Sequence, residues 1–192
     1  MADGPLDPAE MTAGQLVRRD RLVRAVIDLV DEGADEHIQM KEIAERADVA
    51  LGTVYRYFSS KDHLVAAALV EWAGDLERTA PRAAAEGSSA DRLAGALATA
   101  MRAYQRRPAF ARLLVMVATS TDPHASACYA SMGPVVFGAL GQVIADVDAD
   151  RRDRILFVIG AVWYHCMVEW VNGRMTVLEV DEMLTSTAHL LL

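Results

Sequence analysis

Residues 40–69 read MKEIAERADVALGTVYRYFSSKDHLVAAAL, and apolar residues in this stretch recur at helical spacing in two short segments. The first stripe consists of Met40, Ile43, Ala44 and Ala47, and the second of Val54 and Phe58, which are four residues apart and predicted to face inward. A four-residue turn over 48–51 joins the two segments. This layout predicts a helix-turn-helix unit.

The second helix of such a unit presents polar and aromatic side chains to the major groove of DNA. Thr53, Tyr55 and the backbone of Gly52 are predicted to reach base edges or phosphates. Tyr57, Lys61 and the amide groups of the helix that begins at Lys61 are predicted to hold the flanking phosphates, with Ser60 as the N-cap of that helix. The predicted DNA-binding residues are Gln39, Leu51, Gly52, Thr53, Tyr55, Arg56, Tyr57 and Lys61.

A longer helix over 15–32 precedes the unit, because Val23, Val26, Ile27 and Val30 form one apolar stripe. Its other face carries Arg18, Arg21 and Arg24, for which phosphate contact and simple solvent exposure are both open. Residues 1–14 are predicted to be a flexible arm, acidic and proline-bearing and therefore unlike a signal peptide.

The rest of the chain is also helical in pattern. Helices are predicted over 61–78, 91–105, 109–119, 124–147, 150–172 and 177–192, with a break or kink in the fourth at Gly133-Pro134. No alternating strand pattern occurs. We therefore predict an all-α fold with about nine helices and three divisions: the arm at 1–14, the helix-turn-helix domain at 15–60, and a second helical domain at 61–192.

Composition narrows the class of protein. The 192 residues carry 19 Lys and Arg against 27 Asp and Glu, a net charge of −8, which argues against indiscriminate nucleic-acid binding. Two cysteines without ligand spacing predict a reduced cytoplasmic protein with no metal and no cofactor. The apolar run 155–171 contains His165 and Glu169, so a helix buried in protein is predicted there and no membrane partner.

Residues 40–69 closely resemble the DNA-binding signature of the TetR family of bacterial regulators, which reads roughly IAxxAGVSxGTLYxYFxSKxxL. Two departures stand out. Ala50 occupies the position of the usual capping serine, which predicts an N-cap weaker by about 1 kcal/mol. Leu51 replaces a polar residue, and apolar contact with a thymine methyl group is plausible there.

The segments ADVALGTVYRYF and AVWYHCMVEWVNGR (161–174) are also similar to an actinobacterial subgroup of the family, which includes the cholesterol-catabolism repressor that responds to a steroid-CoA thioester. The resemblance implies that the second domain encloses a small-molecule pocket. It also implies that the last two helices pair with those of a second copy, which makes the second domain a ligand-binding and dimerisation domain. The operator is then a pseudo-palindrome.

The pocket implied by the resemblance is assigned to bulky residues of the middle helices, for which ordinary core packing is the alternative: Trp72, Met101, Tyr104, Phe110, Leu113, Met116, Val117, Phe137 and Trp163. Arg102, Arg106, Arg107 and Arg112 either receive an anionic head group or form a solvated cluster. The predicted dimer residues are His165, Glu169, Val180, Met183, Leu184, Thr187 and Leu191.

His165 and Glu169 lie four residues apart on one helix and are predicted to form a pair, at the dimer seam or on a ligand, with an acid–base dyad as the alternative. The function predicted overall is that of a homodimeric repressor released from DNA by an apolar lipid, steroid or acyl-CoA metabolite. Two alternatives remain: a small enzyme or carrier for an apolar metabolite, and a regulator that acts as an activator.

Overall fold

The computed structural model describes residues 4–79 and 87–192 and confirms the all-α class. Within these residues it contains nine α-helices and no β-strand. They are α1 (Ala13–Asp31), α2 (Met40–Arg46), α3 (Leu51–Tyr57), α4 (Lys61–Thr79), α5 (Ser89–Arg106), α6 (Pro108–Ala118), α7 (Pro123–Val143), α8 (Ala149–Val171) and α9 (Val177–Leu191). One turn of 3-10 helix, Pro8–Glu10, precedes α1. Residues 1–3 of the predicted arm lie outside the described residues.

Side-chain caps fix where the long helices begin. Thr12, Ser88 and Thr176 each accept a hydrogen bond from the backbone three residues later, and the side chain at that later position bonds back to the cap. Asp148 caps α8 by accepting from the Arg151 amide. The predicted bounds of the long helices apart from α7 agree with the structure to within two residues.

Of the break or kink predicted at Gly133-Pro134, the break is wrong, because α7 is helical from Pro123 to Val143 with Pro134 inside it. A proline in a helix leaves the carbonyl four residues earlier without its donor. Here that carbonyl belongs to Ala130, and both Ala130 and Pro134 are exposed. Water can satisfy the carbonyl, so the helix continues.

The chain divides into two compact units, and most contacts join residues of the same unit. The first unit comprises Met1–Ala73 and Arg112–Met132. Its core includes fully buried Leu22, Ile43, Phe58 and Leu64, which bring α1, α2 and α4 together around the end of α3. The predicted division into functional domains at residues 14 and 60 stays a prediction.

The second unit comprises Gly74–Ala111 and Gly133–Leu192. Within it α9 packs on α5 and on α8. The turn between α8 and α9 contains Gly173 at φ +70°, a left-handed conformation that favours glycine after a helix end. An 18-residue window of helix α8 has a mean hydropathy of 1.3, so the helix is long and apolar enough to cross a membrane by length and composition, and 28% of that window is buried. Core helices of soluble proteins meet the same criterion.

Candidate nucleic-acid interface

Helices α2 and α3 form the predicted helix-turn-helix. The Gln39 amide donates to the carboxylate of Glu42 (2.7 Å) at the start of α2. The turn that follows contains Asp48 at φ +52°, in the left-handed region. Ala50 precedes α3 and gives it no side-chain cap, which confirms the weak cap predicted from the sequence.

Helix α3 has one buried face and one exposed face. Val54 and Tyr57 are buried, as is Phe58 directly after the helix. The exposed residues are Leu51, Gly52, Tyr55 and Arg56, and we call them the recognition face; Thr53 beside them is half-buried. Tyr55 is 52% exposed, whereas Tyr57 is 1% exposed. The recognition face therefore contains an aromatic ring, a cation and an apolar side chain.

Tyr57 corrects a prediction, because its ring is in the core and cannot grip a phosphate in this conformation. Its hydroxyl oxygen accepts a hydrogen bond from Nη1 of Arg18 (3.2 Å). The Arg19 guanidinium lies 5.2 Å from the centre of the Phe58 ring, a cation–π distance. Two α1 arginines thus brace the end of α3. The spacing of Val54 and Tyr57, three residues apart, was the available signal that both face inward.

Lys61 and Gln39 also bond within the protein. The Lys61 ammonium donates to the backbone carbonyl of Glu36 (2.7 Å), and Lys61 is half-buried. Gln39 is exposed, and its amide nitrogen Nε2 donates to the His37 carbonyl (2.6 Å). These bonds hold the segment before α2 against the start of α4. Ser60 caps α4 as predicted, since its hydroxyl accepts from the His63 amide (3.1 Å).

Several cations near the interface are paired with acids. Arg24 lies 3.6 Å from Glu71 and Lys41 lies 3.7 Å from Glu45. Arg46 forms a two-pronged pair with Glu32, and the hydrogen bond lowers the pKa of Glu32. The Arg112 guanidinium donates to the Glu36 carboxylate (3.0 Å). Of the four arginines predicted to cluster around Pro108, Arg112 is thus paired with an acid. In the part of the chain that the structure describes, Arg21 and Arg56 are exposed and their side chains have no hydrogen bond or ion pair.

A polar cluster joins the start of α4 to the α6–α7 turn. The Ser59 hydroxyl donates to Asp122 (2.8 Å) and the Ser120 hydroxyl donates to Asp62 (2.6 Å). Burial raises the pKa of Asp122, but hydrogen bonds from Ser60, Ser59 and backbone amides outweigh burial and lower this pKa to about 2. The sequence contained no local signal for this cluster, because its bonded partners are about 60 residues apart in the chain.

His63 lies among rings in the same cluster. Its ring stacks on His124 with centroids 5.3 Å apart and meets the edge of Phe58 at 5.1 Å. Burial, followed by the charge of His124, lowers the pKa of His63 to about 4. His63 is therefore neutral near pH 7, and it packs as an aromatic residue behind the recognition helix.

Most of the predicted pocket residues are core residues of one unit or the other. Trp72, Leu113 and Val117 are buried in the first unit, where Met116 is half-buried. In the second unit Met101, Tyr104 and Phe110 are buried, while Phe137 and Trp163 are half-buried. The rings of Tyr104 and Trp163 lie 6.0 Å apart. Phe137 packs over Gly160, where an added Cβ would lie 2.7 Å from the ring.

A cavity of about 310 Å³ lies within the first unit, and residues of α1, α4 and α7 line it. Its walls include Arg19, Arg24, Glu71 and Cys128. Burial raises the pKa of the Cys128 thiol. None of the nine predicted pocket residues lines this cavity, so their role in ligand binding stays a prediction.

The predicted dimer residues divide into two groups. Val180 and Leu184 are buried within their own chain, since α9 packs on α5 and α8. Met183 and His165 are exposed, and Thr187, Leu191 and Glu169 are half-buried. The largest exposed apolar side chains on these helices were missed: Phe157 (78% exposed), Leu178 (74%) and Leu190 (85%).

The predicted pair of His165 and Glu169 is replaced by another pair. Both carboxylate oxygens of Glu169 accept hydrogen bonds from the Arg174 guanidinium, each at 2.7 Å. This bidentate bond lowers the pKa of Glu169. Glu169 therefore ties the end of α8 to the turn before α9.

Comparison with known families decides the relationship. The model for the N-terminal domain of bacterial regulatory proteins of the tetR family matches residues 31–68. The model for the tetracyclin repressor-like C-terminal domain matches residues 87–191. The chain belongs to the TetR family of bacterial regulatory proteins. This confirms the family predicted from residues 40–69.

The TetR-family relatives include two repressors of the same name. The chain is 32% identical to the HTH-type transcriptional repressor KstR of Rhodococcus jostii over 93% of this chain and 84% of the relative. It is 31% identical to KstR of Mycolicibacterium smegmatis over 93% of this chain and 88% of the relative. They confirm the subgroup to which 161–174 pointed.

Solved structures share the TetR fold. A TetR transcriptional regulator from Rhodococcus sp. RHA1 matches with a TM-score of 0.79 and 24% identity, over 93% of this chain and 97% of that one. FadR of Thermus thermophilus, a TetR-family repressor solved with lauroyl-CoA, matches with a TM-score of 0.66 and 19% identity, over 90% and 92%. At these identities the likeness concerns the fold alone.

Proposed function

We propose that this TetR-family protein is a homodimeric transcriptional repressor that leaves its operator when an apolar small molecule binds. The observation that carries the proposal is the division of α3 into a buried face and the recognition face. Val54 and Tyr57 pack α3 into the first unit, and packing does not account for the side chains on the recognition face. An exposed tyrosine and an unpaired arginine on the other face are suited to base edges and phosphates.

Each residue of the recognition face has a distinct proposed contact. Arg56 provides a cation for a phosphate or for the paired acceptors of guanine. The exposed ring of Tyr55 offers a hydroxyl and an apolar surface. Leu51 fits a thymine methyl group, and Gly52 lets the backbone approach a phosphate closely. Thr53, half-buried at the edge, and the Lys61 ammonium complete the proposed contacts.

We propose that α8 and α9 pair with those of a second copy. Phe157, Leu178 and Leu190 are large, apolar and more than two-thirds exposed, and such side chains on one pair of helices favour a protein partner over water. A two-fold dimer presents two copies of α3. The operator is therefore expected to be a pseudo-palindrome with half-sites about 34–36 Å apart or a multiple of that.

We propose an acyl-CoA, steroid or other lipid metabolite as the effector. A repressor of the same fold was solved with lauroyl-CoA, and the relatives at 31–32% identity are repressors. The half-buried Phe137 and Trp163 of the second unit offer apolar surface, and exposed Arg102, Arg106 and Arg107 offer cations for an anionic head group. The effector must bind the released state more tightly than the DNA-bound state, since otherwise no population shift occurs.

This proposal places the protein in the cytoplasm with DNA and assigns it no catalytic step. The relatives are transcriptional regulators, which disfavours the enzyme or carrier alternative. An activator would use the same DNA contacts. The sign of regulation is therefore tested by transcription from the selected operator, with repression expected.

The test is selection of bound sequences from random duplex DNA by the purified protein, with Tyr55→Ala as the parallel variant. We expect a palindromic site, release of that site by long-chain acyl-CoA or steroid-CoA thioesters, and no enrichment by Tyr55→Ala. Equal enrichment by both proteins would remove the assignment of α3 as the recognition helix. A site that none of the thioesters releases would contradict the proposed effector class.

A further inference from the structure

The segment before α1 is bonded to the recognition helix. The backbone amide of Leu6 donates a hydrogen bond to the carbonyl of Arg56, at 3.0 Å. Arg56 belongs to the recognition face, so the arm reaches the helix proposed to read DNA. Of the arm predicted over 1–14, residues 4–12 are described and precede α1, and the arm means these residues from here on.

The bond supplies a donor to one of the carbonyl groups that are left unsatisfied at the C-terminal end of a helix. The last carbonyls of a helix have no donor within the helix. In α3 the Val54 carbonyl accepts from the Phe58 amide, and Phe58 is already in an extended conformation. The Arg56 carbonyl receives its donor from the arm. Because α3 has seven residues, this single bond acts on one of its two turns.

The arm is itself ordered by local bonds. The Asp7 carboxylate accepts from the Ala9 amide (2.9 Å) and begins the 3-10 turn at Pro8. At the other end Thr12 and Gln15 form the reciprocal cap of α1. The Leu6 amide is thus held at a defined place relative to α1, which in turn braces α3 through Arg18.

The arm also carries exposed negative charge, and one of its acids follows directly on the residue bonded to Arg56. Asp7 directly follows Leu6, whose amide is bonded to Arg56, and the Cα atoms of Leu6 and Asp7 are therefore about 3.8 Å apart. Asp7 and Glu10 are both exposed. A carboxylate near a phosphate backbone opposes binding to DNA of any sequence, and salt screens this effect.

We propose that the arm acts on DNA binding in two ways: the Leu6 amide positions the recognition helix and so raises selectivity, and the Asp7 and Glu10 carboxylates weaken contact with DNA in general. The amide raises affinity for the operator, because base contacts require α3 in one orientation. The carboxylates lower affinity for all duplexes. The amide therefore raises the ratio of operator affinity to non-specific affinity, whereas the carboxylates lower both affinities and leave that ratio unchanged. This inference rests on the proposed function.

The test compares three variants of the full chain with the natural protein. Leu6→Pro removes the amide hydrogen and keeps an apolar side chain, while Leu6→Ala keeps the amide hydrogen. Asp7→Asn keeps an oxygen that can cap the 3-10 turn and removes the charge. Affinity is measured for the selected operator and for an unrelated duplex of equal length, at two salt concentrations, together with the thermal midpoint.

We expect Leu6→Pro to weaken operator binding about ten-fold and to leave the unrelated duplex within about two-fold, at an unchanged thermal midpoint. The loss of operator affinity in Leu6→Ala is expected to be at least five-fold smaller than the loss in Leu6→Pro. Asp7→Asn is expected to strengthen both affinities about two- to three-fold at low salt, an effect that high salt reduces. Deletion of residues 1–7 should combine the two effects: the ratio should fall as it does in Leu6→Pro, and both affinities should also gain the increase of about two- to three-fold expected in Asp7→Asn.

Two results would overturn the inference. One is a ratio of operator affinity to non-specific affinity that is the same in Leu6→Pro and in the deletion as in the natural protein. The other is an equal loss on both duplexes, which would mean a general defect. If the natural protein has no operator, the proposed function fails while the capping role is still tested without DNA. Amides of α3 should then exchange faster in Leu6→Pro than in Leu6→Ala, and equal exchange would reject that role.

Discussion

Helix α3 and the pair α8–α9 both have buried faces and both expose large side chains, but the exposed residues differ in kind. On α3 they are Tyr55 and Arg56, which offer a hydroxyl and a charge. On α8 and α9 the largest are Phe157, Leu178 and Leu190, which offer neither. Once the core accounts for the buried faces, the exposed faces indicate the partners. Polar aromatic and cationic groups suit a nucleic acid, and uncharged apolar groups suit a protein.

The ends of these helices differ as well. Helix α9 has a reciprocal cap made by Thr176 and Glu179, and Asp148 caps α8. Helix α3 has Ala50 at its start, and it takes its C-terminal donor from Leu6, about 50 residues away in the sequence. The long helices therefore begin by local rules, whereas α3 depends on other segments for its position.

The largest expected effect separates the two tyrosines of α3. Tyr57→Ala should lower the free energy of unfolding by about 3–4 kcal/mol, because the ring is buried and its hydroxyl binds Arg18. Tyr55→Ala should change stability by less than about 0.5 kcal/mol and weaken operator binding about 10- to 100-fold. Urea unfolding and DNA titration measure both. Equal stability losses would mean that α3 does not have one buried and one exposed face.

The second prediction concerns the apolar surface of α8. Phe157→Glu should weaken self-association more than about 100-fold, because a carboxylate cannot be desolvated in an apolar interface without a partner. Sedimentation velocity over a range of concentrations measures the change. Val17→Glu, at an exposed apolar position of α1, is the matched control and should leave association unchanged. Loss of the dimer in both variants would argue against α8 as the interface.

The third prediction is a pH dependence on the α3 side of the comparison. The pKa of His63 is about 4 in the fold and 6.5 as the ordinary value. Between these values the unfolded chain binds a proton that the folded chain refuses, so stability falls as pH decreases from 6.5 to 4. The expected loss is about 1–2 kcal/mol, reduced because the ring is partly exposed. Unfolding of His63→Gln at pH 7.5, 6 and 5 should show a smaller slope, and an identical slope would refute the assignment.

The smallest effects concern the turn before α3. Asp48→Gly should raise stability by about 0.5–1 kcal/mol, because Asp48 is in the left-handed region at φ +52°. Asp48→Asn is the control, since it removes the charge and tolerates that conformation. A gain in DNA affinity shared by both variants would come from charge, and a gain in stability confined to glycine would come from the backbone. Ala50→Ser should add about 1 kcal/mol through a cap, measured by the same urea titrations.

Local patterns in the sequence predicted the helices because their ends are local. Pro108, Pro123 and the caps at Ser88 and Thr176 mark helix starts within a few residues of chain. The inward positions of Val54 and Phe58 also follow from helical spacing, and both are buried. The family resemblance rests on the same short stretch, which is why it was available without a structure.

What the sequence did not predict depends on distant partners. The Lys61 ammonium bonds a carbonyl 25 residues away, and Leu6 bonds Arg56. Val180 and Leu184 are apolar like interface residues, but α5 and α8 cover them within the same chain. Glu169 was assigned to His165 by its spacing along a helix, yet the turn brings Arg174 closer. The prediction placed Val54 and Phe58 on the inner face and Tyr57 on another face, but Tyr57 follows Val54 by three residues and is buried with both.

The pairing of cations near the interface has a consequence for how the protein finds its site. Arg24, Lys41 and Arg46 are paired with acids. In the described part of the chain Arg21 and Arg56 are the exposed arginines of α1 to α3 whose side chains have no hydrogen bond or ion pair. A protein that neutralises few phosphates releases few counterions and stays only briefly on unrelated DNA. We therefore expect the search to proceed by repeated dissociation and rebinding through solution, with short sliding runs along the duplex.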